Sequence, residues 1–243
     1  MQHSETIDPQ VFFKTSNLPC PYIDGQVERR VLTELVGIRA VALHNQLSLA
    51  GFRRSHGIAY APACPFCRAC VAVRIVVDDF KMSKSQRRIW NKNSDLHCEI
   101  LPAIATNEQF DLFDRYQKKR HAGGDMAKMN FFDFQNLVEE TPVKTLVLEF
   151  RDADGRLVAA ILTDCLEGGV SAVYSFFDPD EEKRSLGSEM ILWLIDYAKI
   201  HSFDYIYLGY WVKGSPKMAY KANFSPMEAY TTRGWGNFET IGD

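Results

Sequence analysis

The spacing of apolar residues changes several times along the chain, and each change marks an element. Three apolar runs, 143–150, 157–166 and 170–177, are separated only by Asp152-Ala153-Asp154-Gly155 and Gly168-Gly169. Turns that short predict an antiparallel meander. An acidic turn with Asp178 and Pro179 follows, then a helix over 185–200, a strand over 205–208 and a short basic helix carrying Lys217 and Lys221 one turn apart. Upstream, helical spacing over 38–49 stops at Gly51, a suitable C-cap. The β-branched run 71–77 predicts a strand, Ser83 caps a helix to about residue 93, and a short strand covers 98–101. Thr106-Asn107-Glu108-Gln109 has capping-box form and opens a helix to about residue 120, with Phe110, Phe113 and Tyr116 on one side. Residues 121–129 contain two glycines and read as a loop. Leu101-Pro102 is the candidate boundary between a cysteine-bearing α+β domain (1–102) and a second domain (103–243).

Composition narrows the class. A chain of 243 residues with 46% hydrophobic residues can bury a substantial core. No run of about 18 apolar residues predicts a membrane span, and the first residues lack the basic-then-apolar form of a signal peptide. Six cysteines, three of them within seven residues, fit a reducing cytoplasmic setting better than a secreted disulfide frame.

A net charge of -3 does not by itself suggest nucleic acid, so local patches carry that argument. Lys81, Lys84, Arg87, Arg88 and Lys92 form a run with no acid between them. Arg115, Lys118, Lys119, Arg120 and His121 form a second cluster, and Lys213, Lys217 and Lys221 a third. Any one of these suits a solvated face, but three in an acidic chain point to a phosphate backbone. Trp90, Tyr210, Trp211 and Tyr220 lie among them and suit either stacking on unpaired bases or plain packing.

The order meander–helix–strand resembles the GNAT-type N-acyltransferase fold. There a helix N-terminus binds the cofactor's phosphates, and Arg184-Ser185-Leu186-Gly187 matches half of the usual glycine-rich signature. A closer resemblance rests on Tyr60-Ala61-Pro62-Ala63-Cys64, Ser83-Lys84-Ser85-Gln86-Arg87-Arg88, Tyr174-Ser175-Phe176-Phe177-Asp178-Pro179, Ser185-Leu186-Gly187 and Tyr207-Leu208-Gly209-Tyr210 through Lys217-Met218-Ala219-Tyr220-Lys221. Together these look like the aminoacyl-tRNA–protein transferases of the arginyltransferase type. Cys67-Arg68-Ala69-Cys70 and the compact length resemble the bacterial branch, which moves leucine from leucyl-tRNA to proteins with N-terminal Asp or Glu. The resemblance implies an α+β protein with a mixed, mainly antiparallel sheet, a cytoplasmic place in N-degron (N-end rule) degradation, and neither DNA nor membrane as partner.

The chemistry agrees with that resemblance. An aminoacyl ester is already activated, and freeing an α-amine of pKa ~8 at pH 7 costs only about 1 kcal/mol. Positioning can supply several times as much, so neither a nucleophilic triad nor a cofactor is required. One carboxylate to orient or deprotonate the amine would suffice, and Asp178 is the candidate, although it equally suits an Asp-Pro turn. Arg53, Arg54, Tyr174, Tyr210, Lys217 and Tyr220 are the candidates for holding substrate. The expected tRNA contacts are Lys84, Arg87, Arg88, Lys92, Lys119, Arg120, Arg184 and Lys221. Cys20 with Cys64-x2-Cys67-x2-Cys70 makes four thiols compatible with an iron–sulfur cluster or zinc, with reduced structural thiols as the default. The family's eukaryotic pattern carries a second cysteine where this chain has Ile23. Two alternatives stay open: an acyl-CoA-dependent N-acetyltransferase, and a non-enzymatic cysteine-rich tRNA-binding or redox-sensing module.

Overall fold

The computed structural model describes residues 9–241; the segment weighed above as a signal peptide lies partly in residues 1–8, outside them. The predicted meander forms as β9 (Thr145–Arg151), β10 (Leu157–Leu166) and β11 (Gly169–Phe177). The long helix α5 (Leu186–Ile200) follows, then β12 (Tyr205–Val212), which runs parallel to β11. Pairing extends outward on both sides into one eight-stranded sheet. Its edges are β8 (His97–Pro102) beside β9, and β7 (Cys70–Val76), β13 (Met227–Thr231) and β14 (Gly234–Asn237) beyond β12. Every neighbouring pair except β11–β12 is antiparallel. A mixed α+β architecture results, with the GNAT-type order of meander, helix and parallel strand at its centre.

A second, four-stranded sheet comes from the N-terminal part: β1 (Phe13–Lys14), β4 (Arg30–Glu34), β6 (Ile58–Pro62) and β5 (Arg53–Ser55), in that order. A small ribbon of β2 (Leu18–Pro19) and β3 (Val27–Glu28) and the helix α1 (Ala40–Leu49) complete this layer. The boundary expected at Leu101-Pro102 falls within β8, and strands on both sides of it share the large sheet. The reason is long-range: β7 pairs with β12 and β13, some 130 and 150 residues later, and no local signal announces that. The N-terminal layer that packs as its own sheet spans residues 13–62.

Both faces of the large sheet are covered. One carries α5 with α2 (Lys84–Lys92), whose apolar contacts include Val158, Ile161, Leu192 and Leu194. The other is shared. Over β9–β11 it carries α3 (Asn107–Arg120) and α4 (Phe131–Glu139), where Phe113, Phe134 and Phe176 meet at centroid distances of 5.0–5.8 Å. Toward β12 and β7 it carries the N-terminal layer, pinned by Arg54 on Asp164, Tyr210 on the Gly51 carbonyl and the Trp235 indole on the Leu49 carbonyl. A capping box starts α3 at Thr106–Gln109, as its spacing predicts, and Ser83 caps α2 as expected, there too in a reciprocal box with Gln86. Helix α4, started by a reciprocal Asn130–Asp133 cap, is absent from the sequence reading, as are β13 and β14.

Candidate active site

The sheet opens at its one parallel joint. Strands β11 and β12 pair only over Gly169–Ser171 with Tyr205–Tyr207 and then part. Beyond the parting, β12 carries a bulge between Tyr207 and Gly209, and Gly209 has φ +73°, where a side chain is strained. A bulge flips alternation, so Tyr210 faces the N-terminal layer and donates to the carbonyls of Gly51 (3.1 Å) and Tyr60 (3.0 Å).

Two cations enter this opening. Arg53, from β5, donates through Nη2 to the Val173 carbonyl at 2.7 Å, with Ala172 at 3.5 Å. Its guanidinium crosses Gly209 so closely that a Cβ there would overlap it. Lys221, from the 3-10 turn Ala219–Asn223, donates to the carbonyls of Leu208 (2.8 Å) and Tyr210 (2.7 Å) and is only 5% exposed. Among the described residues no carboxylate pairs with either cation. Burial and the neighbouring Arg53 hold the Lys221 amine down to about 7. The phenols of Tyr60, Tyr210, Tyr22 and Tyr220 surround Arg53. Burial raises Tyr22 and Tyr210 above the ordinary phenol range, which keeps them neutral proton donors.

The far wall comes from α3. Tyr116 lies against Phe177 (4.8 Å) and His121 (5.4 Å), close to Tyr174 and Tyr220. The Tyr174 hydroxyl accepts from Gln117 Nε2. Burial, Lys217 and Arg120 hold His121 below the ordinary imidazole range.

Several expected roles are corrected by this geometry. Asp178 is 1% exposed, and both its oxygens are occupied: Arg156 donates at 2.8 Å, Arg115 at 3.3 and 3.5 Å, and the Asp180 amide at 3.0 Å. Two donors on each oxygen fill the carboxylate's acceptor positions and leave none for an incoming amine. It fastens the β11–α5 turn to the β9–β10 turn through Arg156, which also bonds Asp152 and Glu181. Arg54 is likewise no substrate ligand, for it forms a buried bidentate pair with Asp164 at 2.6 and 2.7 Å. Tyr210 pins backbone, and Lys221 is buried rather than turned toward phosphates. Lys217 and Lys221 therefore do not share a face, because only Lys221 lies in the 3-10 turn. Arg53, Tyr174 and Tyr220 remain at the opening, and Lys217 beside His121 at its rim.

The expected tRNA contacts divide. Lys84, Arg87, Arg88 and Lys92 are exposed along α2, none paired with a carboxylate among the described residues. Lys119 is paired with Asp180 at 2.6 Å and Arg184 with Asp95, while Arg120 lies over the Phe177 ring at 5.8 Å. Trp90 and Trp211 pack into the α5 core, which leaves Tyr220 as the exposed aromatic of the four. Gly187 follows the same rule: a Cβ there would meet the Phe177 ring at 3.3 Å, so packing explains it without a phosphate.

Cys20, Cys64, Cys67 and Cys70 are free, half-buried and mutually close, and Cys70 is also near Tyr22 and Tyr210. Burial, reinforced by the other three, pushes the Cys70 thiol up to about 12. Among the described residues no three His, Cys, Asp or Glu side chains are arranged to hold a metal ion, and no step is assigned to one. Cys98 and Cys165 lie in β8 and β10, as their strand-like settings predict.

The site residues that sequence reasoning missed are Tyr22, Tyr60, Tyr116, His121 and Gly209. Tyr60 and Gly209 did stand in the quoted motifs and His121 in a basic cluster, and a glycine within a strand often marks a bulge or close approach.

Comparison with known proteins identifies the family. The family model for the arginine-tRNA-protein transferase N terminus matches residues 18–88, and that for its C terminus matches residues 108–231. The aspartate/glutamate leucyltransferase of Paramagnetospirillum magneticum is 52% identical over 98% of this chain and 98% of that protein. That of Granulibacter bethesdensis is 53% identical over 93% of this chain and 85% of that protein. Among solved structures, L-PGS from Bacillus licheniformis covers 74% of this chain and 52% of its own at 14% identity and a TM-score of 0.49. None of the described helices is long and apolar enough to cross a membrane. The chain belongs to the arginine-tRNA-protein transferase family and is an aminoacyltransferase that uses aminoacyl-tRNA and a protein substrate.

Proposed function

We propose that the β11–β12 opening is where leucine passes from leucyl-tRNA to the α-amine of proteins that begin with Asp or Glu. The observation that carries this reading is Arg53: a half-buried guanidinium, held in place by β11 carbonyls, with no carboxylate of its own among the described residues. A cation partly withdrawn from water and left without an anion is well placed to take one from a ligand. The side-chain carboxylate of an N-terminal Asp or Glu supplies that charge. Leucine as the transferred residue follows the names of the relatives at 52% and 53% identity. The product would begin with leucine and enter N-degron degradation in the cytoplasm. The activated ester leaves no chemical need for the thiols, which are read as reduced.

The acyl-CoA alternative meets a physical obstacle. An extended thiol arm would add to parted strands as another strand does, through main-chain hydrogen bonds. Here the carbonyls of Val173, Leu208 and Tyr210 already accept from Arg53 and Lys221. The test is transfer from leucyl- and arginyl-tRNA to peptides differing only in a first residue of Glu, Asp, Gln or Asn. Leucine transfer to the acidic pair, at least tenfold above the amides and lost in Arg53→Gln, is expected. Equal transfer to Glu and Gln peptides would overturn the assignment of Arg53, and preferred transfer of arginine would overturn leucine.

A further inference from the structure

Once Asp178 is enclosed by Arg115 and Arg156, the reaction lacks a proton acceptor. The attacking nitrogen must lose a proton as it becomes an amide, and the leaving ribose oxygen must gain one. Where the acceptor sits is limited by covalent geometry. In an N-terminal Asp or Glu, the α-nitrogen is only a few bonds of about 1.5 Å from the side-chain carboxylate. If that carboxylate rests on Arg53, as proposed above, the α-amine must lie among the groups around Arg53.

Those groups are few. From β6 and β12 come the Tyr60 and Tyr210 phenols, from the N-terminal ribbon's turn Tyr22, and from the segment before the last strands Tyr220 and Lys221. The four tyrosines are phenols, which offer an O–H rather than a basic nitrogen, and Tyr210 is moreover committed to two carbonyls. Among the described residues no carboxylate or histidine forms an ion pair with Arg53. Lys221 remains. Arg53 is the one charged group acting on it, and it acts against a second positive charge. A neutral amine has two N–H donors and one lone pair. Its two donors match the Leu208 and Tyr210 carbonyls at 2.8 and 2.7 Å, which leaves the lone pair free.

We infer that Lys221 is the proton acceptor for the attacking α-amine, a catalytic role resting on Arg53 as the carboxylate receptor. The neutral α-amine attacks the ester carbonyl carbon. The new C–N bond forms as that carbon's bond to the ribose oxygen breaks, Lys221 Nζ takes the proton from nitrogen, and the ribose oxygen takes up a proton in turn. No redox partner or further reactant enters. An amine held near neutrality is suited to the role, because a catalytic base works best when its pKa lies near the working pH.

The test is the slope of log kcat/KM for a Glu-started peptide against pH, with leucyl-tRNA saturating, for the wild type, Lys221→Met and Lys221→Arg. Two groups must be unprotonated in the wild type, the substrate amine with pKa ~8 and Lys221 near 7. The expected slope is therefore one between those values and two below the lower. Both variants should lose about 10²-fold or more at pH 8 and show a slope of one throughout. Lys221→Arg keeps donors for both carbonyls, so it decides the matter should Lys221→Met fail to fold. A wild-type slope of one down to pH 6, or a variant that keeps the steeper limb or loses less than threefold, would overturn the inference. The Glu-over-Gln preference, measured in the same assays, separates this outcome: its absence in the wild type would indict Arg53 instead.

Discussion

Arg53 and Gly209 lie in van der Waals contact across the opening of the sheet, and only a residue without a side chain fits beneath that guanidinium. Gly209→Ala would meet two penalties, the φ of +73° and the overlap with Arg53. The backbone penalty alone is roughly 1–2 kcal/mol, so a fall in Tm of several degrees is expected. Displacing Arg53 should also erase the Glu-over-Gln preference in transfer assays. Wild-type selectivity in Gly209→Ala would mean that Arg53 does not need this seat.

Asp178→Asn should act on stability rather than on proton transfer. Its carboxylate is buried, but Arg115 and Arg156 are about half exposed and can be rehydrated. The expected loss is therefore discounted from that of a fully buried pair to about 1–3 kcal/mol. Urea denaturation measures it, and any drop in transfer should be the same from pH 6.5 to 9. A loss that disappears at high pH would restore Asp178 as a base.

These two residues show where sequence reading ends. The meander was legible because Asp152–Gly155 and Gly168-Gly169 are local turn signals, and the starts of α2 and α3 because capping boxes are local too. Asp178 looks like a free carboxylate in sequence because one of its partners, Arg115, is 63 residues away. Arg54 finds its acid 110 residues on, and Lys221 folds back onto carbonyls of β12, 13 and 11 residues before it. Charged residues were thus read as surface groups wherever their burial depends on distant pairing. Helix α4 was missed because its run Phe131-Phe132-Asp133-Phe134 lacks clean helical periodicity, although its Asn130–Asp133 cap was present in the sequence.

Glu189 offers a prediction about pH and stability. It lies in the first turn of α5 at 5% exposure, with the Asn93 amide at 3.5 Å, and burial pushes it up to about 7. Its folded pKa exceeds its unfolded one, so the stability it contributes is complete below the ordinary carboxylate range and is lost as pH rises through about 7. Glu189→Gln, which cannot ionise, should match the wild type at pH 4 and exceed it by up to ~3 kcal/mol at pH 8. Urea unfolding at the two pH values checks this, and an equal ΔΔG at both would refute it.

The exposed face of α2 is the remaining candidate for the phosphate backbone. Lys84 and Arg88 are free of ion pairs among the described residues, unlike Lys119 and Arg184. Lys84→Ala with Arg88→Ala should weaken tRNA binding and flatten its log–log salt slope by about 0.7–0.9 for each phosphate no longer neutralised. Lys119→Ala should leave the slope nearly unchanged. Filter binding between 50 and 200 mM salt distinguishes them (roughly the range over which such slopes are read), and an unchanged slope in the double variant would move the footprint elsewhere.

The parting of β11 and β12 has a consequence for the life history of the chain. Its two basic side chains arrive from opposite ends, Arg53 from the N-terminal layer and Lys221 from the last quarter, and each is seated on carbonyls of a different central strand. Neither end can assemble the opening alone. A nascent chain still lacking its final residues, or one cut between them with the ends released, would present half a receptor and no chemistry. Transfer activity is therefore a report that synthesis and folding are complete, and an enzyme that modifies other proteins acquires that ability only after both of its own ends have docked.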